Sequence, residues 1–470
     1  MQFLPELTLL GAGLIIFMLS LGKTDANTMK TLAIGLGTAV FAATLLSLSQ
    51  KGTLFFDSYQ VDIYSQVFKA LIAGAMLIVL ILGRKLKDIR TTVHPEYYLF
   101  LFMSVLGLMM LVSSIELLAI FVALELSSFA AYIMVAMRDD SGNYRFQMEA
   151  GIKYLLFGVT ATGFMLFGMS YLFGLTGSTQ LSIVMEKLSA MYDQPAAIIA
   201  IMMVLAGFFY KLAIFPFHFW VPDVYEGAAN ETTAFIASVP KLAAVALLIR
   251  IVSMINGEGQ VIVNILMICA LLSMFYGNLS ALVQTDIKRM LGFSGIAHAG
   301  FVLLGILTFQ LSGYANALYY IIGYVVMNLT CFLVICSISK NGENVQIKDL
   351  SGLHKRSPLL ALTLAVALFA LAGIPPFVGF MGKFMLLAGA LKQGYLILVI
   401  LAAINTAIAI FYYLSVIRVT FCTDPDNNGR ITNSLLTSAT SIVLLLVIVI
   451  MGVAPQPFID FATVTVQSIM

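Results

Sequence analysis

The sequence predicts an all-α polytopic membrane protein with about 14 transmembrane helices. Three observations lead there. Of 470 residues, 61% are hydrophobic and only 10% charged, against roughly one-quarter charged in a soluble globular chain. Fourteen apolar runs reach the length of about 20 residues that a bilayer crossing needs. The connections between them average roughly a dozen residues, so no soluble domain fits. A net charge of +2 offers no basic stripe to nucleic acid. Cys269, Cys331, Cys336 and Cys422 form no CxxC pair and no Cys/His cluster, which argues against a disulfide framework, an iron–sulfur centre or a zinc site.

The spans follow in order. The first, near 2–21, has no basic leader and no small-residue cleavage site, so it reads as a retained helix. Spans near 29–48 and 63–83 complete an N-terminal three-helix segment, 1–96. Spans near 97–114, 115–137, 149–174, 196–215 and 233–254 form a first five-helix set, 97–257. Those near 260–283, 289–309, 314–338, 358–388 and 395–417 form a second, 258–420, and a last span near 434–453 lies in a C-terminal segment, 421–470. Sixteen Lys/Arg fall in loops on one side, while the other holds only Lys51, Lys187, Arg250 and Lys392. This bias places the basic loops in the cytoplasm and both termini outside. The connection between spans seven and eight departs from it, with Asp223, Glu226 and Glu231 and no basic residue.

Five lysines remain inside the spans: Lys69, Lys153, Lys211, Lys241 and Lys383; Glu125 lies near the middle of span five. A charge at that depth costs at least about 2.5 kcal/mol, so it demands a partner, water or a changed protonation state. Lys69 and Lys153 lie near span ends, where snorkelling to the interface is a sufficient explanation. Lys211 and Lys383 stand beside helix breakers, Pro216 and Pro222 for the one, Gly373, Pro375, Pro376, Gly379 and Gly382 for the other. Broken helices with a charge beside the break, in corresponding positions of two halves, are the mark of an inverted repeat, here spans 4–8 and 9–13. Lys241 follows Pro240 early in span eight; His298, one turn after Ser294, lies in span ten and has an unperturbed pKa suited to a proton carrier. No histidine pair has haem-ligand geometry.

The broken segments, with KRMLGFSGIAHAG and PFHFWVPDVYEGA, resemble the proton-translocating, antiporter-like membrane subunits of respiratory complex I and their relatives in multisubunit cation/proton antiporters and membrane-bound hydrogenases. The resemblance runs from about residue 100 to 420. EAGIKYLLFGVTATGFMLFGMSYLFGLTGST and the short end after span fourteen look most like the N-type branch of bacterial NADH:quinone oxidoreductase, the counterpart of mitochondrial subunit 2. The L-type branch carries a long lateral helix, and the M-type has glutamate where this chain has Lys383.

The resemblance implies a relay in which Glu125 modulates Lys211, Lys241 connects, His298 is the polar residue of helix ten, Lys383 releases, and Lys153 matches a sixth-helix lysine. Protons would pass from cytoplasm to periplasm, driven by quinone reduction in neighbouring subunits. NADH, quinone, flavin and iron–sulfur clusters would belong to other subunits, with M-type, K-, J- and A-type membrane subunits as partners in a bacterial inner membrane. Two other readings stand beside this one: a subunit of a sodium/proton antiporter, and a structural subunit whose lysines are locked in ion pairs.

Overall fold

The computed structural model describes residues 1–22, 25–83, 86–139, 145–254, 259–424 and 429–470. Lys23, Arg84, Lys85, the Arg145 side chain and the boundary between residues 257 and 258 lie outside the described residues. The elements in order are α1 (Leu4–Ser20), α2 (Ala26–Leu46), a hairpin of β1 (Gly52–Leu54) and β2 (Tyr59–Val61), α3 (Ile63–Leu82), α4 (His94–Ser113), α5 (Leu117–Ala136), α6 (Arg145–Thr176), α7 (Leu181–Ser189), α8 (Pro195–Leu212), α9 (Val221–Gly227) and α10 (Asn230–Ser253). Then come α11 (Gln260–Ala281), α12 (Ile287–Ile306), α13 (Leu311–Ile338), α14 (Leu353–Arg356), α15 (Pro358–Ala372), α16 (Val378–Lys392), α17 (Leu396–Cys422), α18 (Leu435–Val453) and α19 (Gln456–Gln467). Twelve of the described helices are long and apolar enough to cross a membrane. The 17-residue α1 and the α15–α16 pair, joined across a break, bring the crossings to the fourteen that the hydropathy implies.

Local chemistry sets the ends. Asp62 and Ser65 form a capping box on α3, and Asp25, Glu116, Asp286 and Ser434 cap α2, α5, α12 and α18 by accepting from backbone N–H groups of the first turn. Pro240 sits inside α10 without ending it. The β1–β2 hairpin, α7 and α19 are additions that span-length reasoning does not reach, because each is shorter than a crossing.

Two breaks differ in detail from the sequence reading. α8 stops at Leu212, before Pro216, because Ala213 turns left-handed at φ 66°. Pro222 starts α9 instead of interrupting a helix, as proline does at a first turn where no donor is needed. The run 358–388 divides at Gly373, φ 85°, a conformation that glycine adopts without a side-chain clash.

α10 is buried along its whole apolar length, and α12 and α13 nearly so, while α2, α17 and α18 bury only one-third of theirs. These three helices are therefore the axis around which the rest is arranged. α4 packs on α5 and α11 on α12 through close backbone approaches: a Cβ on Gly107 would lie 2.5 Å from Ser127 N, and one on Gly277 2.6 Å from Phe293 O. Contacts at the two ends separate the loops by parity. Asp139 N donates to Asp88 O, Arg138 to the carbonyls of Glu226 and Gly342, and Lys288 to Ala228 O at one end. Gln2 donates to Lys51 O, Ile115 N to Ser58 O, and Arg250 pairs with Asp62 at the other.

Candidate functional site

Lys211 lies in the last turn of α8, and its ammonium donates to Ser127 Oγ at 3.2 Å and Ser128 Oγ at 2.9 Å on α5. A helix C-terminus carries partial negative charge, so a cation is favoured there. The backbone freed at the break is satisfied by protein: Trp220 Nε1 donates to Tyr210 O at 3.1 Å, and Phe215 N to Ser273 Oγ at 2.9 Å. Glu125, nearly one turn before Ser128 on α5, is half-buried with its Oε1 unpartnered. The expected Glu125–Lys211 pair is not a direct ion pair, since no carboxylate oxygen lies within 4 Å of Lys211 among the described residues; the two serines stand in that place. Their charges nevertheless act on each other.

Lys241 extends from α10 to Tyr324 Oη at 3.1 Å and Gly295 O at 3.4 Å. A cavity of about 10 Å³, the size of a single water, is lined by Lys241, His298, Leu212 and Tyr324 among others. Gly295 makes that room: a Cβ there would be 3.0 Å from Lys241 Nζ. His298 on α12 is gripped from both sides, by Tyr320 Oη at 2.6 Å and Tyr413 Oη at 3.2 Å, and it lies within the field of both Lys241 and Lys383.

Lys383 sits early in α16 and reaches back to Leu371 O at 2.8 Å and Ala372 O at 3.2 Å, the last carbonyls of α15. Both broken helices thus place an ammonium at the C-terminus of their first half, although Lys211 precedes its break and Lys383 follows it. Lys211, Lys241, His298 and Lys383 are each at most 4% exposed.

Lys153 is not brought to this row. It is one-third exposed and pairs with Glu149 at 2.6 Å and Asp223 at 2.5 Å; Asp223 also binds Arg289, which binds Glu226, both at 2.7 Å. Burial raises the Asp223 pKa, but the hydrogen bonds from Lys153 and Arg289 outweigh it and hold the carboxyl below its usual range.

Lys69 corrects the snorkelling expectation. It is fully buried against Glu6 of α1 at 2.8 Å, with Tyr59 Oη donating to the same carboxylate at 2.6 Å. Arg250, counted above as a loop charge, is buried and doubly bonded to Asp62 at 2.8 and 3.0 Å. Lys288, also counted in a loop, is buried and donates to Ala228 O at 2.8 Å. The partners missed by sequence reasoning are mostly hydroxyls: Ser127 and Ser128 were visible in LELSSF directly after Glu125, whereas Tyr320, Tyr324 and Tyr413 gave no local signal. Among the described residues no cluster of three or more His, Cys, Asp or Glu has a metal-holding arrangement.

Residues 114–409 match the model of the family described as NADH:quinone oxidoreductase/Mrp antiporter, TM. NADH-quinone oxidoreductase subunit N 2 of Opitutus terrae is 49% identical over 100% of this chain and 98% of its own length. A chain of respiratory complex I from Thermus thermophilus with bound aureothin superposes with a TM-score of 0.84 at 28% identity, covering 97% of this chain and 98% of that one. A chain of an archaeal membrane-bound sulfane sulfur reductase shares the fold, with a TM-score of 0.89 at 20% identity, over 100% and 97%.

Proposed function

The chain belongs to the NADH:quinone oxidoreductase/Mrp antiporter membrane family, and from that premise we propose that it is the N-type, proton-translocating membrane-arm subunit of a respiratory NADH:quinone oxidoreductase. The observation that carries the reading is the buried row Lys211, Lys241, His298 and Lys383, held by hydroxyls and carbonyls with no carboxylate within ion-pair distance among the described residues. Ammonium groups locked by carboxylates would be static charges; ammonium groups held by neutral acceptors can give up a proton without stranding a buried anion.

In this reading a proton from the cytoplasm reaches Lys211 past the Lys153, Asp223 and Arg289 network, and Glu125 biases that lysine across the serine pair. It passes to Lys241, whose single-water cavity touches His298, and leaves from Lys383 to the periplasm. The tyrosines on either side fix the orientation of the neutral imidazole, one hydroxyl donating to its unprotonated nitrogen and the other accepting from its N–H. The chain has no redox centre of its own; NADH, flavin, iron–sulfur clusters and quinone belong to other subunits. Its membrane partners are the M-type subunit and the small K-, J- and A-type subunits. The two five-helix sets, 97–257 and 258–420, are the inverted repeats, supported by the matching α4–α5 and α11–α12 approaches. Basic loops facing the cytoplasm of a bacterial inner membrane place both termini in the periplasm.

The test is Lys241→Ala in the assembled complex, with NADH-driven proton uptake measured in inside-out vesicles. Loss of uptake with intact assembly is expected; unchanged uptake would remove the reading. Sodium-dependent transport in vesicles without NADH or quinone turnover would reinstate the antiporter alternative.

A further inference from the structure

At the basic end, between α2, α3, α4, α13 and α18, lies a cavity of about 390 Å³ that the relay does not use. It has room for at least about ten waters. Its rim residues Asn27, Thr432 and Ser434 are exposed, and its lining is rich in amides and hydroxyls. Glu231, in the first turn of α10, forms part of its wall. That carboxyl is 5% exposed, its Oε2 has no hydrogen-bond partner, and no cation lies within 4 Å of it among the described residues. Asp88 and Lys87 of the 86–90 segment, Lys288 of α12, Tyr98 of α4 and Cys336 of α13 bear on it electrostatically. A carboxylate that is 5% exposed and makes no ion pair is unfavourable unless water reaches it, and the cavity supplies that water.

Polar groups then climb the α10–α13 seam. Thr232 and Tyr97 have buried hydroxyls that lie beside each other and adjoin Glu231. Asn328 donates to Ser238 Oγ at 3.2 Å, and Tyr324, one turn from Asn328 on α13, meets Lys241 at 3.1 Å. From Glu231 to Lys241 is about 15 Å along the helix at 1.5 Å per residue. The widest step, Thr232 to Ser238, rises about 9 Å along the axis, and proton transfer across it requires water between the two hydroxyls.

We propose that Glu231 is a second proton-loading carboxylate, which takes protons from the water-filled cavity and delivers them along the α10–α13 seam to Lys241. The carboxylate accepts a proton from cavity water, leaving hydroxide to the bulk; its O–H bond then breaks as the hydroxyl chain passes a proton to the neutral Lys241 amine, restoring the carboxylate and forming the ammonium. This inference rests on the proposed function and adds an entrance that does not pass through Glu125 and Lys211.

The experiment uses the assembled complex in inside-out vesicles, in a Cys422→Ser background because Cys422 is exposed while Cys269 and Cys331 are buried. Cys336, which lines the cavity, is the handle for a cationic methanethiosulfonate. Glu231→Gln is expected to slow NADH-driven proton uptake at least fivefold; the reagent should do the same in the otherwise native chain and add nothing in Glu231→Gln or Cys336→Ala. If Glu231→Gln pumps normally while Lys241→Ala does not, this inference falls and the proposed function stands. If both pump normally, the function itself falls. Failure of the reagent to label Cys336, or labelling without slowing, overturns the entrance whether or not Glu231→Gln assembles.

Discussion

Gly295→Ala tests the relay by geometry, without removing a titratable group. An added Cβ would lie 3.0 Å from Lys241 Nζ and 2.9 Å from Tyr324 Oη, inside the roughly 3.5–4.0 Å at which such atoms rest. One or both groups must retreat by about half an ångström or more, into a cavity of only about 10 Å³. The Lys241–Tyr324 hydrogen bond, 3.1 Å at present, is then stretched beyond useful length. A hydrogen bond to a charged group contributes about 1.5–3 kcal/mol, which as a barrier is about tenfold to a hundredfold in rate. The assay is the initial rate of NADH-driven proton uptake in inside-out vesicles, with complex assembly quantified in the same membranes. Gly292→Ala is the control: it lies nearly one turn earlier on α12 and crowds Val221 and Tyr225, its Cβ reaching 3.2 Å from each. If Gly295→Ala and Gly292→Ala pump alike, the contact between Lys241 and Tyr324 does not carry protons.

Other expectations follow from the same packing. Lys69→Met strands Glu6 in a fully buried site and should lower the stability of the N-terminal segment by about 3–5 kcal/mol; adding Glu6→Gln should recover most of it, read as the thermal release of α1 by limited proteolysis. Gly107→Ala drives a methyl group into the α5 backbone at Ser127, an overpacking that costs about 1–3 kcal/mol and should reduce the assembled complex recovered from membranes. The Asp223 carboxyl is held below the usual carboxylate range by Lys153 and Arg289, although burial opposes them. A depressed folded-state pKa contributes stability that is complete above the unfolded value and lost as pH falls through the folded one. Thermal midpoints of the native chain and Asp223→Asn should therefore differ above about pH 4 and converge as the pH falls below it.

Much of this was legible in the sequence because the bilayer imposes local rules. Run lengths of apolar residues fix the crossings, and Gly373 with Pro375 and Pro376 marks a break wherever it falls. The lysines of the row stood out because burying a charge is costly by itself. Their partners did not, since Lys241 meets Tyr324 across 83 residues of chain and His298 meets Tyr413 across 115. Lys69 was misread for the same reason: depth near a span end suggests snorkelling, and only the packing of α1 on α2 and α4 reveals Glu6 opposite it. Ala213 shows a limit of another kind, because an alanine in the left-handed region is imposed by tertiary structure against its local preference.

The row's composition also bears on how it must operate. Three lysines and a histidine face one half-buried carboxyl, Glu125, that none of them binds directly. Two unit charges about 10 Å apart at an effective dielectric near 20 repel by about 1.7 kcal/mol, more than a tenfold bias in occupancy. Bulk electrolyte does not screen this repulsion, because α10, α12 and α13 are buried along most of their lengths. A fully protonated row is therefore disfavoured by several such terms at once, and an empty row leaves the carbonyls of Leu371 and Ala372 with a neutral amine, a weaker donor than the Lys383 ammonium. In the proposed relay intermediate occupancy is the stable condition, so a proton arriving at one member would raise the free energy of those on its neighbours and favour release at the far end. Directionality then has to come from which end opens, and the two helix breaks, each with an ammonium seated on its carbonyl terminus, are the places where a small backbone movement changes that seat.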